Sequence, residues 1–392
     1  MTPTPDRFVP LNSPSFTVSE ETAIVAAFRS GWVTAAGKYV DELEARFAAL
    51  CRRKYAVAVS SGTSALVVAL SALGVHAPKR VLMQSYTCEA AAHAVVATTG
   101  RPPLCVDVEP ETWGMQANPT MEEAQRWDGE GRLWPILAML ERGDLGAVIL
   151  AHTYGVPSRD TLEVERLCEV RGIPLIEDAS EAHGAWIDHR PAGAFGDVSI
   201  LSCRGEKTVS GGNLGVVLTD DPTIARRAKQ WAHNGLPADA VRFWATVPAL
   251  NHQPSHLNCA LACAQLERLD ELVDRRQKVH DGWRCRLDGI EGLTFQGEYG
   301  RPAWWLTAVL IDRRFTAMLP HDLMTALKAR GIETRPGFYP CNLLPHLRDA
   351  DNPEAPVAED LLRRMVVLPS GPTLTAADLD YVTEAIMEIV GR

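Results

Sequence analysis

The 392-residue chain has no stretch approaching the roughly 20 apolar residues that a membrane-spanning helix needs. Met1 to Pro10 has no apolar core segment, so it does not read as a signal peptide. CxxC pairs are missing too. The nine cysteines are scattered, and an odd count fits reduced thiols in a cytoplasm. Cys259 and Cys263 lie four apart with no second His/Cys pair at metal spacing, so they read as small core residues and no metal is expected. No Lys/Arg run suggests a nucleic-acid-binding surface, and the net charge of -10 argues against one. Internal repeats, low-complexity segments and a G-x-G-x-x-G after the first strand-like run are also absent, and the last absence disfavours a nicotinamide-dependent dehydrogenase.

What is present is an alternation. Apolar content of 46% and charged content of 22% suit a soluble globular protein long enough for two domains. Strand-like runs are expected at Tyr55–Val59, Val81–Gln84, Pro103–Val108, Ala147–Ala151, Pro174–Glu177, Val198–Leu201 and Leu214–Thr219. Helical patterns fall between several of them, at Thr63–Leu73, Glu89–Thr98, Asp160–Val170 and Ile224–His233. Apolar strands alternating with helices imply an α/β domain whose seven-stranded, mainly parallel sheet is covered on both faces. Such a sheet places its ligand chemistry at the strands' carboxyl ends. Beyond the loop around Leu236–Pro254 the pattern changes to a long amphipathic helix from Leu257 into Asp274-Arg275-Arg276. A strand at Trp304–Ile311, a helix at Leu319–Arg330 and a terminal helix at Ala376–Val390 follow. This predicts a large domain over 1–250 and a smaller α+β domain over 251–392.

Of seven lysines, only Lys207 sits in a polar, Gly-rich turn between two apolar runs, in Ser202-Cys203-Arg204-Gly205-Glu206-Lys207. In isolation it reads as a solvated loop lysine. In a closed, partly dry pocket its amine becomes able to form a Schiff base. Ser60-Ser61-Gly62-Thr63-Ser64 follows a strand and opens a helix, an arrangement that suits a phosphate as well as an ordinary N-cap. Glu177-Asp178 ends another apolar strand, where a carboxylate could pair with a protonated ring nitrogen or simply cap the exit.

A phosphate-type loop, an Asp and a Lys, each after its own strand, together resemble pyridoxal-phosphate enzymes of the aspartate-aminotransferase fold, and most of all the DegT-like sugar aminotransferase family. The likeness runs from about residue 14 to 388. It is carried by Gly31-Trp32-Val33-Thr34, Gly37-Lys38-Tyr39-Val40, Ser61-Gly62-Thr63-Ser64-Ala65-Leu66, Ser85-Tyr86-Thr87, His152-Thr153-Tyr154-Gly155, Glu177-Asp178-Ala179-Ser180 and Gly196-Asp197. Ser202 with Lys207, Ala264-Gln265-Leu266, Gly331-Ile332-Glu333-Thr334-Arg335-Pro336 and Leu368-Pro369-Ser370 extend it. The resemblance implies that Lys207 holds pyridoxal phosphate covalently and later shuttles a proton, and that Asp178 binds the pyridinium nitrogen. It also implies that Gly62, Thr63, Ser64 and Ser202 bind the phosphate. Asn251 matches an asparagine that reaches the neighbouring subunit's phosphate, which implies a homodimer with shared active sites.

Departures from the family pattern leave the cofactor's anchors intact but alter the substrate face, and two of them, Cys88 and Glu181, stay among the cofactor-binding residues the resemblance implies. Cys88 stands where the family has a stacking Phe or Trp, and Glu181 where it has Gln or His near the cofactor's phenolate oxygen. Asn213 replaces an acidic residue, and Asn251-His252-Gln253-Pro254 lacks the usual arginine. Arg335, Tyr86 and His183 are further candidate substrate-side residues, with His152 and His183 as possible proton carriers against ordinary structural histidines. Trp304-Trp305 reads as core rather than as a sugar platform. The expected activity is transfer of an amino group, from glutamate by resemblance, to a keto-sugar or cyclitol ketone in antibiotic or polysaccharide biosynthesis. A non-sugar ketone or another pyridoxal-phosphate reaction is the alternative, and a non-catalytic cofactor-binding regulator the second.

Overall fold

The computed structural model describes residues 7–117, 135–239, 241 and 243–392. Seven strands form the large sheet: β1 (Tyr55–Val59), β2 (Arg80–Gln84), β3 (Leu104–Val106), β4 (Leu145–Ala151), β5 (Leu175–Asp178), β8 (Val198–Ser202) and β9 (Gly215–Thr219). A small hairpin, β6 (Trp186–Ile187) and β7 (Arg190–Pro191), lies between β5 and β8. The order is β1-β9-β8-β5-β4-β2-β3. Every pairing is parallel except those of β9, which runs against both β1 and β8.

That one reversal shapes the site. Parallel neighbours need a crossover, whereas an antiparallel pair can be joined directly. The segment from β8 to β9 therefore stays at the carboxyl end of β8 as a wide loop. Its ladder continues through Cys203 N–H to Leu214 O (2.8 Å), Gly205 N–H to Gly212 O (2.9 Å) and Gly211 N–H to Cys203 O (2.8 Å), and Lys207 sits inside it.

Helices cover both faces. α3 (Gly62–Ala72) and α4 (Glu89–Thr99) pack on one core that includes Val59, Leu66, Val81, Ile149 and Val217. On the other face, α2 (Lys38–Leu50) and the helix His256–Glu267 share a core with Phe47, Leu201, Val216 and Cys259. α1 (Val18–Arg29) lies against the same helix. A second, antiparallel sheet is formed by β10 (Leu293–Phe295), β11 (Thr307–Ile311) and β12 (Met365–Leu368). Its core holds Trp283, Leu327, Leu368 and Val382, and Val9 joins it from the other end of the chain through a bridge to Ile332.

All seven expected strands of the large sheet are present, within two residues at either end. The expected long helix is two, His256–Glu267 and Leu269–Leu287, separated by a non-helical Arg268 (φ -109°, ψ 13°). Gln265 Nε2 and Arg268 Nη1 both reach Glu20 Oε1 of α1. This ties the first helix to the large sheet's layer while the second runs to the small sheet. By packing, His256–Glu267 goes with the large sheet, although it lies beyond the expected division near residue 250. The expected strand at Trp304 begins only at Thr307, because Trp304 takes a left-handed backbone (φ +45°).

Candidate active site

Five parallel strands deliver their carboxyl ends to one cavity of about 750 Å³. Ser61, Gly62 and Thr63 come after β1, Thr87 and Cys88 after β2, and His152 after β4. Asp178, Ser180 and Glu181 follow from β5, and Ser202 and Lys207 from β8. The opposite wall is Trp305, Arg335 and Phe338, from around the small sheet.

The β1 corner is built on a capped helix. Ser61 Oγ accepts the Ser64 N–H at 3.0 Å, so the N-cap reading of this motif holds. The cap leaves the amides of Gly62 and Thr63, the first helical residues, without an acceptor among the described residues. They open on the cavity with the helix's positive end behind them. Gly62 is required by close approach, since a Cβ there would lie 2.7 Å from Ser202 Cβ. Ser64 does not line the cavity. Its hydroxyl is tied to Ser60 Oγ, Ser61 Oγ and His252 Nδ1 at 3.0, 3.0 and 3.1 Å.

Two carboxylates face the cavity from the end of β5: Asp178, its partly exposed last residue, and Glu181, buried three residues further on. Asp178 accepts the Ser180 N–H at 3.1 Å and has no cation in contact among the described residues. Burial pushes its carboxyl above the ordinary range, opposed by the Ser180 hydrogen bonds and the charge of Lys207. Glu181 is raised as well, by burial first, against Lys207 and the Tyr154 amide. Its Oε1 lies 3.1 Å from Lys207 Nζ and its Oε2 accepts the Tyr154 N–H at 2.7 Å. Lys207 is 8% exposed, and its amine also stands over the Trp305 indole, 3.3 Å from the ring centroid. The pocket thus supplies both a counter-charge and a π-face to this ammonium.

Cys88 caps α4 and lines the cavity, with burial pushing its thiol up to about 12. A thiol held protonated makes this a small wall group rather than a nucleophile. Arg335 also lines the cavity, with its Nη2 3.5 Å from Glu206 Oε2.

Two of the three substrate-side candidates lie elsewhere. Tyr86 is fully buried behind the wall, where its hydroxyl meets Tyr154 Oη (3.1 Å), Met365 Sδ (2.8 Å) and the Phe338 amide (3.2 Å). His183 is buried against Phe47 and Cys203, and burial holds its ring down to about 3, which disfavours the imidazolium form a proton carrier needs. His152 does reach the cavity, but its Nε2 faces Glu177 Oε1 at 2.9 Å and its Nδ1 accepts the Ser158 N–H at 3.1 Å. Both nitrogens are engaged, and the ring serves as a fixed wall. Asn251 is exposed and outside the cavity, bridged to His233. Trp305 and Phe338 are the site residues the sequence did not announce. Both are aromatic and flank β11 or the Arg335 loop, but nothing local aims them at Lys207.

A lysine and a carboxylate at the carboxyl edge of this sheet, with a second small domain closing over them, are the features of fold type I transaminases. Solved structures of that class superpose on the chain. DesV of S. venezuelae matches with a TM-score of 0.84 and 27% identity, over 99% of this chain and 100% of that one. Residues 14–387 match the DegT/DnrJ/EryC1/StrS aminotransferase family, and the chain belongs to it. It is 30% identical to the GDP-perosamine synthase of Escherichia coli O157:H7, over 97% of this chain and 98% of that protein. It is also 30% identical to the putative pyridoxal phosphate-dependent aminotransferase EpsN of Bacillus subtilis (strain 168), over 97% and 95%.

Proposed function

We propose that the chain uses pyridoxal phosphate to move an amino group from glutamate to a keto-sugar, nucleotide-linked or free, or to a cyclitol ketone, in polysaccharide or antibiotic biosynthesis. The carrying observation is convergence: the Lys207 amine, the Asp178 carboxylate with no cation in contact among the described residues, and the α3 amides open on one cavity. These residues fit the cofactor. A partly exposed carboxylate with no cation in contact suits a protonated ring nitrogen. The free amides of Gly62 and Thr63, with the Ser202 hydroxyl, suit a phosphate. Pyridoxal phosphate, when bound, supplies an aldehyde that carries the amino group and a ring that accepts electrons.

The chain's residues do the rest. Lys207 Nζ holds the cofactor and, once released, moves the substrate's proton. Asp178 keeps the ring nitrogen protonated. Glu181, whose Oε1 is 3.1 Å from Lys207 Nζ, balances the charge of that amine. The small-domain wall limits water access. The relatives named GDP-perosamine synthase support a sugar acceptor. The exposed Asn251 is read as serving the neighbouring subunit of a homodimer, and nine unpaired cysteines fit a reducing cytoplasm.

Borohydride reduction of the protein loaded with pyridoxal phosphate, followed by peptide mapping, is expected to leave the cofactor on Lys207. Lys207→Ala is expected to abolish glutamate-dependent amination of a panel of nucleotide ketosugars, free ketosugars and cyclitol ketones. An unmodified Lys207, or turnover in the alanine variant, overturns the reading.

A further inference from the structure

Trp305 looks like a core residue, and it is only 4% exposed. Its face nevertheless carries the one ammonium on which the proposed chemistry depends. Lys207 Nζ stands 3.3 Å from the ring centroid and 3.1 Å from Glu181 Oε1. The negative face of an indole attracts a cation, more so than other rings and more so where water is excluded.

The ring is itself immobilised. Its Nε1–H donates to Glu206 O at 2.8 Å, and Asn12 Nδ2 donates to the same carbonyl at 2.8 Å. The Trp305 carbonyl accepts from Arg276 Nη1 at 2.7 Å, and that buried guanidinium also reaches Ser370 O at 3.2 Å. Gly155 (φ +89°) lies against the Trp305 amide, where a Cβ would be 2.6 Å from the nitrogen. Because Glu206 directly precedes Lys207, one indole fixes both the backbone of the lysine loop and the position of its amine.

We propose that Trp305 is a positioning residue for Lys207, forming with Glu181 a resting place for the lysine ammonium in every state in which the amine is not bonded to the cofactor. The amine then waits inside the cavity, in reach of the reacting atoms, rather than extending into solvent. The inference rests on Lys207 being the reactive amine, and the borohydride mapping tests that separately.

The test compares two variants of similar bulk, both of which lose the indole N–H. Trp305→Phe keeps an aromatic face and Trp305→Met does not. Full-length protein stripped of cofactor is treated with formaldehyde and cyanoborohydride at pH 7, a reaction of the unprotonated amine, and modification is read by peptide mass mapping. Lys207 is expected to react roughly threefold or more faster in Trp305→Met than in Trp305→Phe. Trp305→Phe should stay within about twofold of the parent, with the exposed Lys229 as internal reference in all three. Equal Lys207 rates in the two variants overturn the proposal. If Trp305→Met fails to give a normal thermal transition, Trp305→Leu takes its place under the same criterion. A Lys207 that is not reduced onto pyridoxal phosphate sinks the functional reading whatever this ratio shows.

Discussion

The two walls of the cavity are built differently. On the large-sheet wall, each group ends its own parallel strand or follows it within five residues: Asp178 ends β5, Gly62 follows β1, Cys88 follows β2 and Lys207 follows β8. Strand burial fixes where these loops emerge, so a few side chains become chemistry by position. On the small-domain wall, Trp305, Arg335 and Phe338 come from separate segments held by long-range contacts, such as the Arg335–Val367 bridge and the Phe338 amide on Tyr86. The first wall suits cofactor binding, which needs fixed donors and acceptors. The second touches the lysine and the mouth of the cavity, where substrate differences would be read. Substitutions should therefore act on cofactor and stability from one side, and on lysine placement and substrate preference from the other.

The largest contrast is expected at Asp178. On the proposed function, Asp178→Asn would remove a charged partner for the ring nitrogen, and the loss of about 3 kcal/mol predicts roughly a hundredfold lower turnover. Stability should move the other way in the cofactor-free chain. Burial raises the Asp178 carboxyl above its ordinary range, so the folded state binds the proton more tightly than the unfolded one. Folding stability then falls as pH rises from the ordinary carboxylate range through the raised folded value. The uncharged amide of the Asp178→Asn variant would carry no such penalty. Melting temperatures from pH 4 to 8 should decline more for the parent than for the variant. A steeper decline in the variant would show that burial does not raise the Asp178 carboxyl in the folded chain.

Gly62→Ala should have a middle effect on the same wall. The added Cβ would meet Ser202 Cβ at 2.7 Å, and overpacking of this kind costs about 1–3 kcal/mol. If α3 moves away from β8 to relieve the contact, the phosphate-facing amides move with it. Affinity for pyridoxal phosphate should then fall roughly tenfold to a hundredfold, with a smaller change in melting temperature. A change in melting temperature alone would place the phosphate somewhere other than the α3 N-terminus.

The asymmetry between the walls also explains what the sequence could disclose. Lys207 and Asp178 are legible because an apolar run followed by a polar turn states where a parallel strand ends. Ser64 is harder to place, because in a helix's first turn one hydroxyl faces the ligand side while the next caps or packs behind it. Tyr86 and His183 are misplaced by sequence reasoning because closeness to a motif says nothing about side-chain direction. Tyr86, two residues before Cys88, turns inward to Tyr154 and Met365. Trp305 is only half legible: its burial can be read, but a buried ring can still face an active group, and no local pattern says so. The break at Arg268 is invisible because both flanking helices keep an amphipathic period, and the interruption is set by Glu20, 248 residues away.

The smallest expected effect lies on the second wall. Arg335 is half-exposed, and its contact with Glu206 is loose at 3.5 Å, so the pair should contribute no more than about 1 kcal/mol to folding. Arg335→Ala is therefore expected to leave the melting temperature nearly unchanged. Its guanidinium nonetheless lines the cavity, where a planar fork can take a carboxylate or phosphate oxygen pair. Measuring the two half-reactions separately sharpens the comparison. A role with the amino donor should raise KM in the glutamate half-reaction by about tenfold with kcat little changed, the sign of binding shared by ground and transition states. The same rise confined to the ketone half-reaction would instead assign Arg335 to the acceptor. If neither KM moves, the small-domain wall recognises no anion through Arg335, and its part in the site reduces to the placement of Lys207 by Trp305.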